Sequence, residues 1–223
     1  MKNYRRITMP KKKEAERRSY IFDVRSEKRA DGTARLYGSP IVYSSPTDIG
    51  GWFREIIDPG ALIDANLKDV PLLVNHNDRM IPVARSRNNN PNSTMRLMVT
   101  DNGLDFEADI DVERNATACE LESAVERGDL DGMSFAFWVS EEKWEDLETD
   151  YPTRHIIRFE AIGEISACTW PAYESTSIYA RSKEALDNAR SALENARQQR
   201  AASPDGDDEL ELAKAKLIFK SKL

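Results

Sequence analysis

Three short stretches of the chain carry residues that together could perform one hydrolytic reaction. His76 follows the apolar run in "VPLLVNHND", Ser134 lies in "GDLDGMSFAFWV", and Glu164 lies in "EAIGEISACTW". A serine hydroxyl becomes a nucleophile when a positioned imidazole removes its proton, and a carboxylate on the other ring nitrogen fixes the tautomer that this base requires. The three residue types are therefore those of acyl transfer through a serine.

Each residue also has an interpretation without catalysis, and the local sequence leaves both open. His76 has polar neighbours and could be a surface histidine. Ser134 could be an ordinary half-buried strand serine. Glu164 could be a surface glutamate that faces Arg154 or Arg158. Only spatial proximity of His76, Ser134 and Glu164 would favour catalysis.

The patterns around these residues predict strands that position them. Alternation over residues 70–74 predicts a strand with His76 at its C-terminal end. In residues 133–139, Ser134 falls next to the small Ala136, on the face opposite the bulkier apolar side chains, which would leave room for a substrate carbonyl. Counting by two from Ile162 places Glu164, Ser166 and Cys168 on one face.

Residues from about Tyr20 to Tyr179 alternate short apolar runs with turn signals, as mostly β domains do. "DGTARLYGSPIVY" predicts a turn at Asp31-Gly32 and then an extended run. "MRLMVTDNGLDFEADI" predicts a hairpin in which Asn102-Gly103 supplies positive φ angles. The residues expected on the apolar face of its second strand are Leu104, Phe106, Ala108 and Ile110.

One helix is predicted among the strands, in "NATACELESAVERGD". Thr117 and Glu120 have the spacing of a capping box, and Gly128 is placed to end the helix. The chain then enters the Ser134 segment directly. The apolar stripe of this helix consists of Ala118, Leu121, Ala124 and Val125.

The composition predicts three regions. Residues 1–19 are rich in Lys and Arg and are expected to be a mobile basic arm, and residues 20–180 are the main domain. Residues 181–223 are expected to be a helical and flexible appendage outside the core. Its first helical pattern has an Ala/Leu stripe, "AASPDGDD" is a linker, and a second short helical pattern follows.

Charge and cysteine content exclude several classes of protein. A net charge of −7 over 223 residues argues against a protein that coats nucleic acid. Cys119 and Cys168 are the only cysteines, too few for a disulfide framework or a structural zinc site, and small and apolar neighbours favour buried structural thiols. Neither a secretory signal nor a membrane span is evident, which predicts a cytosolic protein.

Four motifs in order, "FREIIDPGAL", "VPLLVNHND", "GDLDGMSFAF" and "EISACTWPAYES", resemble those of the tailed-phage prohead serine proteases over roughly residues 20–180. That family is related in fold to the herpesvirus assemblins. The resemblance implies a mostly β fold with helices (α+β), namely a closed or partly closed β-barrel with flanking helices. It also implies His76 as the base, Ser134 as the nucleophile and Glu164 as the third member of a triad.

The resemblance leaves supporting residues open. Family members usually have Gly-Arg after the histidine motif, where this chain has Ala84 and Arg85, so Arg85 is carried over as a site-supporting cation. Backbone amides near Arg158 or Arg85 are candidate oxyanion donors. Assemblins use a second histidine as third member, which makes His155 the rival of Glu164.

The resemblance also implies a role in virion assembly. Such a protease acts inside the assembling prohead in the host bacterial cytoplasm, where it cleaves the scaffolding segment of the major capsid protein and itself. No metal or organic cofactor, membrane or specific nucleic acid is implied, and a homodimer is left open. The alternatives are a non-catalytic assembly or scaffolding factor and, less favoured without a Gly-x-Ser-x-Gly elbow, an esterase.

Overall fold

The chain is described by a computed structural model over residues 15–21, 24–169 and 183–202. In these residues the chain is mainly β-strand, with two helices. The strands are β1 (Glu16–Ile21), β2 (Arg25–Lys28), β3 (Thr33–Val42), β4 (Thr47–Ile49), β5 (Phe53–Ile57), β6 (Val70–Val74), β7 (Ala84–Ser86), β8 (Met95–Thr100), β9 (Gly103–Asp111), β10 (Gly132–Glu145) and β11 (Thr153–Cys168). The helices are α1 (Ala116–Glu126) and α2 (Lys183–Ala202).

The strands form two sheets. The larger has the order β1-β10-β11-β5-β4, with β6 paired to β11 and β7 paired to β6, and the smaller has the order β2-β3-β9-β8. The long strand β11 pairs in parallel with β5 near its start and with β6 near its end. The mostly β fold with helices is thus confirmed. Among the described strands the pairing closes neither sheet, so a closed barrel is not found there and the partly closed barrel stays a prediction.

The hairpin of β8 and β9 forms as predicted, and the four residues expected on its apolar face are buried. Its turn differs from the prediction, because Asn102 does not have a positive φ angle. Gly103 has a φ of 146°, and a Cβ atom there would lie 1.9 Å from the carbonyl oxygen of Ile41. The glycine is needed because β3 approaches β9 closely at this point.

The main core lies between the two sheets and is completed by α1. It includes Leu36 and Ile41 of β3, Phe106 of β9 and Leu121 of α1. Three phenylalanine rings of β10 and β11 pack against one another with centroids 5.1 to 6.2 Å apart, and they are Phe135, Phe137 and Phe159. This apolar side of β10 leaves the opposite side of the strand for the candidate site.

Helix α1 forms where it was predicted, but its capping residue is different. Asn115, not Thr117, is the N-cap, and its side chain accepts a hydrogen bond from the backbone N–H of Ala118 at 3.3 Å. Asparagine is among the best N-cap residues, so the helix begins earlier than the capping box suggests. Gly128, with a φ of 74°, follows its C-terminal end.

The prediction of a mobile basic arm is wrong for residues 16–19, because these residues belong to β1. Residues 16–21 pair antiparallel with residues 132–137 of β10. Glu16 and Arg18 are buried, and each has an oppositely charged buried partner, so their charges do not keep this segment in solvent. The part of the predicted arm at residues 1–14 lies outside the described residues.

Helix α2 packs on the larger sheet, although the sequence predicted an appendage outside the core. Ala189 and Leu193 are buried against Ile49 and Phe53, so the Ala/Leu stripe lies against the domain itself. The Arg197 guanidinium donates hydrogen bonds to two carbonyl oxygens of the loop between β10 and β11. The linker and the second helical pattern, at residues 203–223, lie outside the described residues.

Neither α1 nor α2, the helices of the described part of the chain, combines the length and the apolar character that crossing a bilayer requires.

Candidate active site

His76 is positioned by an unusual backbone turn at the end of β6. Asn75 and His76 have φ angles of 52° and 57°, in the left-handed region that residues with a Cβ seldom adopt. The Asn75 N–H donates to the carbonyl oxygen of Ala167 at 2.9 Å, which continues the pairing of β6 with β11. The Asn75 side-chain oxygen accepts a bond from the Thr169 N–H at 3.1 Å. These bonds fix the turn that directs the imidazole toward β11.

The imidazole of His76 contacts the carboxylate of Glu164. Nδ1 of His76 is within hydrogen-bonding distance of Oε1 of Glu164, and the Ser166 hydroxyl donates to the other carboxylate oxygen at 3.3 Å. The Glu164 side chain is 9% exposed and that of His76 is 22% exposed. Glu164 is therefore not the surface residue of the alternative interpretation, and its carboxylate does not pair with Arg154 or Arg158.

A β-bulge at Gly163 gives Glu164 its orientation. Phe137 pairs with Ile162 whereas Ala136 pairs with Glu164, so Gly163 is an extra residue in β11. Ile162 therefore lies with Phe137 on the core side, which corrects the strict alternation predicted from Ile162. A Cβ atom at Gly163 would lie 2.7 Å from the ring of Trp138, so a side chain at this position would displace the indole.

Ser134 lies on β10 directly opposite Ser166 of β11 but is covered by β1. Its side chain is fully buried, and its hydroxyl donates a 2.7 Å hydrogen bond to the carbonyl oxygen of Arg18. The room for a substrate carbonyl that the sequence predicted is therefore absent from this conformation. The reason is that β1 occupies the edge of β10, whereas residues 16–19 of β1 were predicted to belong to a mobile basic arm.

The thiol of Cys168 lies between the imidazole and the serine. Its Sγ atom is 3.8 Å from Nε2 of His76, and it also contacts the Ser134 hydroxyl. Burial, together with the charge of Glu164, raises the pKa of this thiol to about 12, although its hydrogen bond with Ser134 acts in the opposite direction. Cys168 is thus a neutral thiol in a row that runs from hydroxyl to thiol, imidazole and carboxylate.

The two cysteines differ from each other in exposure. Cys168 is buried, as predicted, whereas Cys119 is exposed on α1, because the apolar stripe of that helix runs along another face. The contact of Cys168 with His76 was not predicted. The alternation that placed Cys168 and Ser166 on the face of Glu164 was the signal that could have identified both as neighbours of the site.

The two arginines proposed as site support have other partners. Arg85 makes two hydrogen bonds of 2.6 Å to Asp69. Arg158 lies 3.0 Å from Asp64 and 3.3 Å from Glu141. None of these contacts includes the row of site residues.

His155 also pairs elsewhere. Its Nδ1 is 2.8 Å from Oδ1 of Asp58, and its Nε2 is 3.6 Å from Oε2 of Glu145. The structure therefore brings Glu164, and not His155, into contact with His76.

A buried cluster of charged residues, which the sequence patterns did not predict, holds β1 to the rest of the larger sheet. Arg18 donates to Glu55 at 2.6 and 2.9 Å, while Arg154 donates to Glu16, Glu55 and Glu142. Burial alone would raise the pKa of the Glu16 carboxyl, but Arg154 and Arg18 hold it at about 2. Glu16 and Arg18 are two residues apart and therefore lie on the same face of a strand. This spacing was the sequence feature that could have indicated the cluster.

Comparison with known proteins places the chain in a family. A family model for the caudovirus prohead serine proteases matches residues 21–190. The Prohead protease of Enterobacteria phage HK97 is 27% identical over 165 residues, a match that covers 72% of this chain and 66% of that protein's length. No solved structure gives a significant match. The chain belongs to the caudovirus prohead serine protease family.

Proposed function

We propose that this protein is a serine endopeptidase that acts in prohead maturation, with Ser134 as nucleophile, His76 as general base and Glu164 as the third member of the triad. The observation that carries the proposal is the contact between His76 Nδ1 and the Glu164 carboxylate, beside the strand that bears Ser134. Membership of a serine protease family supports the same assignment.

In the proposed reaction His76 Nε2 removes the proton of Ser134, and Oγ attacks the carbonyl carbon of a peptide bond. His76 then protonates the leaving amine, and water hydrolyses the acyl-enzyme. Glu164 holds the proton on Nδ1, which keeps Nε2 available as the acceptor. The hydrogen bond from Ser166 keeps the carboxylate in place.

Before this reaction, Ser134 must release the Arg18 carbonyl and turn toward Nε2, which now faces Cys168. The thiol does not compete as a nucleophile at neutral pH, because its pKa of about 12 keeps it protonated. We assign to Cys168 the role of a neutral neighbour in the site.

The proposed substrates are the scaffolding segment of the major capsid protein and the protease itself. The proposed place of action is the assembling prohead in the host bacterial cytoplasm. A match to a protein described as a prohead protease supports this role. A partly closed barrel related to that of the herpesvirus assemblins, and a homodimer, belong to the same proposal.

A second candidate function is a non-catalytic assembly or scaffolding factor built on the same domain. The observation that favours it is the complete burial of Ser134, whose hydroxyl already has a backbone partner. In that case the row of polar side chains would serve only to join β1, β10 and β11.

The two functions are distinguished by coexpressing the chain with its cognate coat protein and measuring the masses of all products. Ser134→Ala should abolish cleavage of the coat protein and of the chain itself, because the nucleophile is lost. Ser140→Ala is the matched control, since Ser140 lies exposed on the same strand. Identical products from wild type and Ser134→Ala would exclude the protease function and leave the assembly factor.

A further inference from the structure

The thiol of Cys168 occupies the path between the proposed nucleophile and the proposed base. Its Sγ atom lies 3.8 Å from Nε2 of His76 and is in hydrogen-bonding contact with the Ser134 hydroxyl. The proposed reaction requires the proton of Ser134 to reach Nε2. A side chain that contacts both the donor and the acceptor of a transferred proton either obstructs the transfer or takes part in it.

The pairing of β10 with β11 fixes the thiol at this place. Ser134 and Ser166 are Cα partners, and Cys168 follows two residues after Ser166 on the same strand. Ser134 and Cys168 are therefore diagonal neighbours on one face of the sheet, a separation across which side chains still interact. Cys168 is only 6% exposed, so the thiol does not turn away into solvent. A serine hydroxyl that turns toward the imidazole thus meets Sγ first.

A thiol can accept one hydrogen bond and donate another through a single atom, although it does both weakly. Two acceptors lie 3.8 Å from Sγ, namely Nε2 of His76 and the carbonyl oxygen of Ser166. When the S–H bond points to Nε2 and the hydroxyl of Ser134 points to Sγ, the three groups form a continuous chain. This chain joins the hydroxyl to the imidazole without a direct contact between them.

The imidazole and the thiol are both in the protonation state that such a chain needs. Oε1 of Glu164 contacts Nδ1 of His76, so Nδ1 keeps its hydrogen and Nε2 is the free acceptor. Burial, and then the charge of Glu164, raise the pKa of the Cys168 thiol, so the sulfur carries a hydrogen at neutral pH. The thiol therefore has a hydrogen to give to Nε2 when it receives one from the serine.

We propose that Cys168 is a catalytic residue that relays the proton of Ser134 to His76. As Oγ of Ser134 bonds to the carbonyl carbon, its proton passes to Sγ, and the hydrogen that Sγ carried passes to Nε2. The thiol is neutral before and after, the imidazole becomes an imidazolium ion, and the negative charge moves to the carbonyl oxygen. In the reverse direction one proton returns from Nε2, through Sγ, to the leaving amine. The inference rests on the proposed protease function and concerns the route of the proton.

The first test compares substitutions at Cys168 that keep or remove the relay. A serine side chain can accept and donate at this position, whereas alanine can do neither. The measured quantity is the rate at which a fluorophosphonate labels Ser134 in the full chain. Labelling requires the serine proton to leave but no leaving amine to be protonated, so it isolates the first transfer. Circular dichroism verifies that each variant is folded.

The rates should depend on whether the side chain at this position can carry a proton. We expect Cys168→Ala to label at least about tenfold more slowly than wild type, since general-base transfer contributes about 10²- to 10⁴-fold to such steps. Cys168→Ser should label at least about tenfold faster than Cys168→Ala, because its hydroxyl restores the chain. Cys119→Ala is the matched control and should label at the wild-type rate, since this thiol is exposed on α1.

The second test counts the hydrogens that move in the rate-limiting transfer. Labelling rates of Cys168→Ser and Cys168→Ala are measured in mixtures of H2O and D2O. A relay moves two hydrogens in one step and gives a curved dependence on the deuterium fraction, whereas direct transfer moves one and gives a straight line. Cys168→Ser is used instead of wild type because a thiol takes up less deuterium than the solvent contains, which would mask the curvature. A merely structural role of Cys168 would give straight lines for both variants.

The outcomes separate the relay from the proposed function. Labelling of folded Cys168→Ala at the wild-type rate or faster would overturn the relay and leave the protease intact, because the proton would then move directly. Equally slow labelling of Cys168→Ser and Cys168→Ala, or a straight line for Cys168→Ser, would also overturn it, since the side chain would then only fill space. If neither wild type nor any variant labels above Ser134→Ala, the proposed nucleophile is wrong and the inference fails with it.

Discussion

At the scale of single residues, the conformation of the candidate site is set by polar neighbours as much as by the triad itself. His76 depends on Asn75, whose backbone and side chain both bond to the end of β11. The second carboxylate oxygen of Glu164 accepts a hydrogen bond from the hydroxyl of Ser166. The contacts of Asn75 could not be derived from the residue types, because they arise from a turn that forms only on folding. The contact of Ser166 with Glu164 could have been, because the two residues are two positions apart on one strand.

The assignment of the third triad member predicts the effect of Glu164→Gln. A glutamine at this position can hold the ring but favours the wrong imidazole tautomer, so kcat should fall by roughly 10²- to 10⁴-fold with little change in folding. Cleavage rates of purified coat protein measure this effect. His155→Gln is the control and should cleave at nearly the wild-type rate. A larger loss in His155→Gln than in Glu164→Gln would contradict the assignment.

The difference between the two thiols can be measured by alkylation. Cys119 is exposed, whereas Cys168 is buried with a pKa raised to about 12, and only a thiolate reacts readily. Iodoacetamide at pH 8 should therefore modify Cys119 in the native protein and Cys168 only after denaturation, as read by peptide mass. Native Cys119→Ser should take up no label. Rapid native labelling of Cys168 would contradict the description of this thiol as buried and neutral.

At the scale of elements, the sequence predicted which strands bear the site residues but not how those strands are offset. The runs that became β6, β10 and β11 were each predicted from alternation. The bulge at Gly163 was not predicted. One extra residue reverses the face of the sheet on which Ile162 lies, and no residue type in the segment indicates this. The strand β1 was missed for a related reason, since its buried residues include two charged ones that pair only in the folded sheet.

Capping of α1 gives a prediction for stability. Asn115→Ala removes the acceptor for the Ala118 N–H and should lower the free energy of unfolding by about 1 kcal/mol. Thr117→Ala, in the first turn of the same helix, is the matched control, and we expect it to cost less. Urea denaturation of both variants measures the difference. A larger loss in the free energy of unfolding for Thr117→Ala than for Asn115→Ala would support the capping box predicted from the sequence.

At the scale of the whole molecule, the charged cluster joins strands that are far apart in the sequence. Arg18 of β1 and Arg154 of β11 share the carboxylate of Glu55 on β5, and Arg154 also bonds to Glu142 of β10. A sequence does not predict such a cluster, since each member alone resembles a surface charge. The mostly β class and the order of the motifs were predictable because they depend on local patterns.

This cluster predicts a specific dependence of stability on pH. The pKa of Glu16 is about 2 in the folded chain and 4.5 in the reference state, so the unfolded chain takes up the proton first as the pH falls. The stability contributed by Glu16 is therefore complete above pH 4.5 and is lost between pH 4.5 and about 2.

Thermal unfolding across this pH range tests the dependence. Wild type should lose more stability between pH 5 and pH 2.5 than Glu16→Gln, which has no carboxyl to protonate at this position. The exposed Glu120→Gln should follow the wild type. Parallel curves for wild type and Glu16→Gln would mean that the Glu16 carboxylate does not stabilise the fold in this way.

The small apolar cluster beneath α2 has an optical consequence. Two of the four tryptophans of the chain pack there: Trp144 lies edge-on to Phe53 with 5.0 Å between ring centroids, and Trp52 lies under the guanidinium of Arg190. Undocking of this helix would move water and charge around both indoles while the main core stays closed. Intrinsic fluorescence therefore provides an internal sensor of helix attachment that needs no added dye.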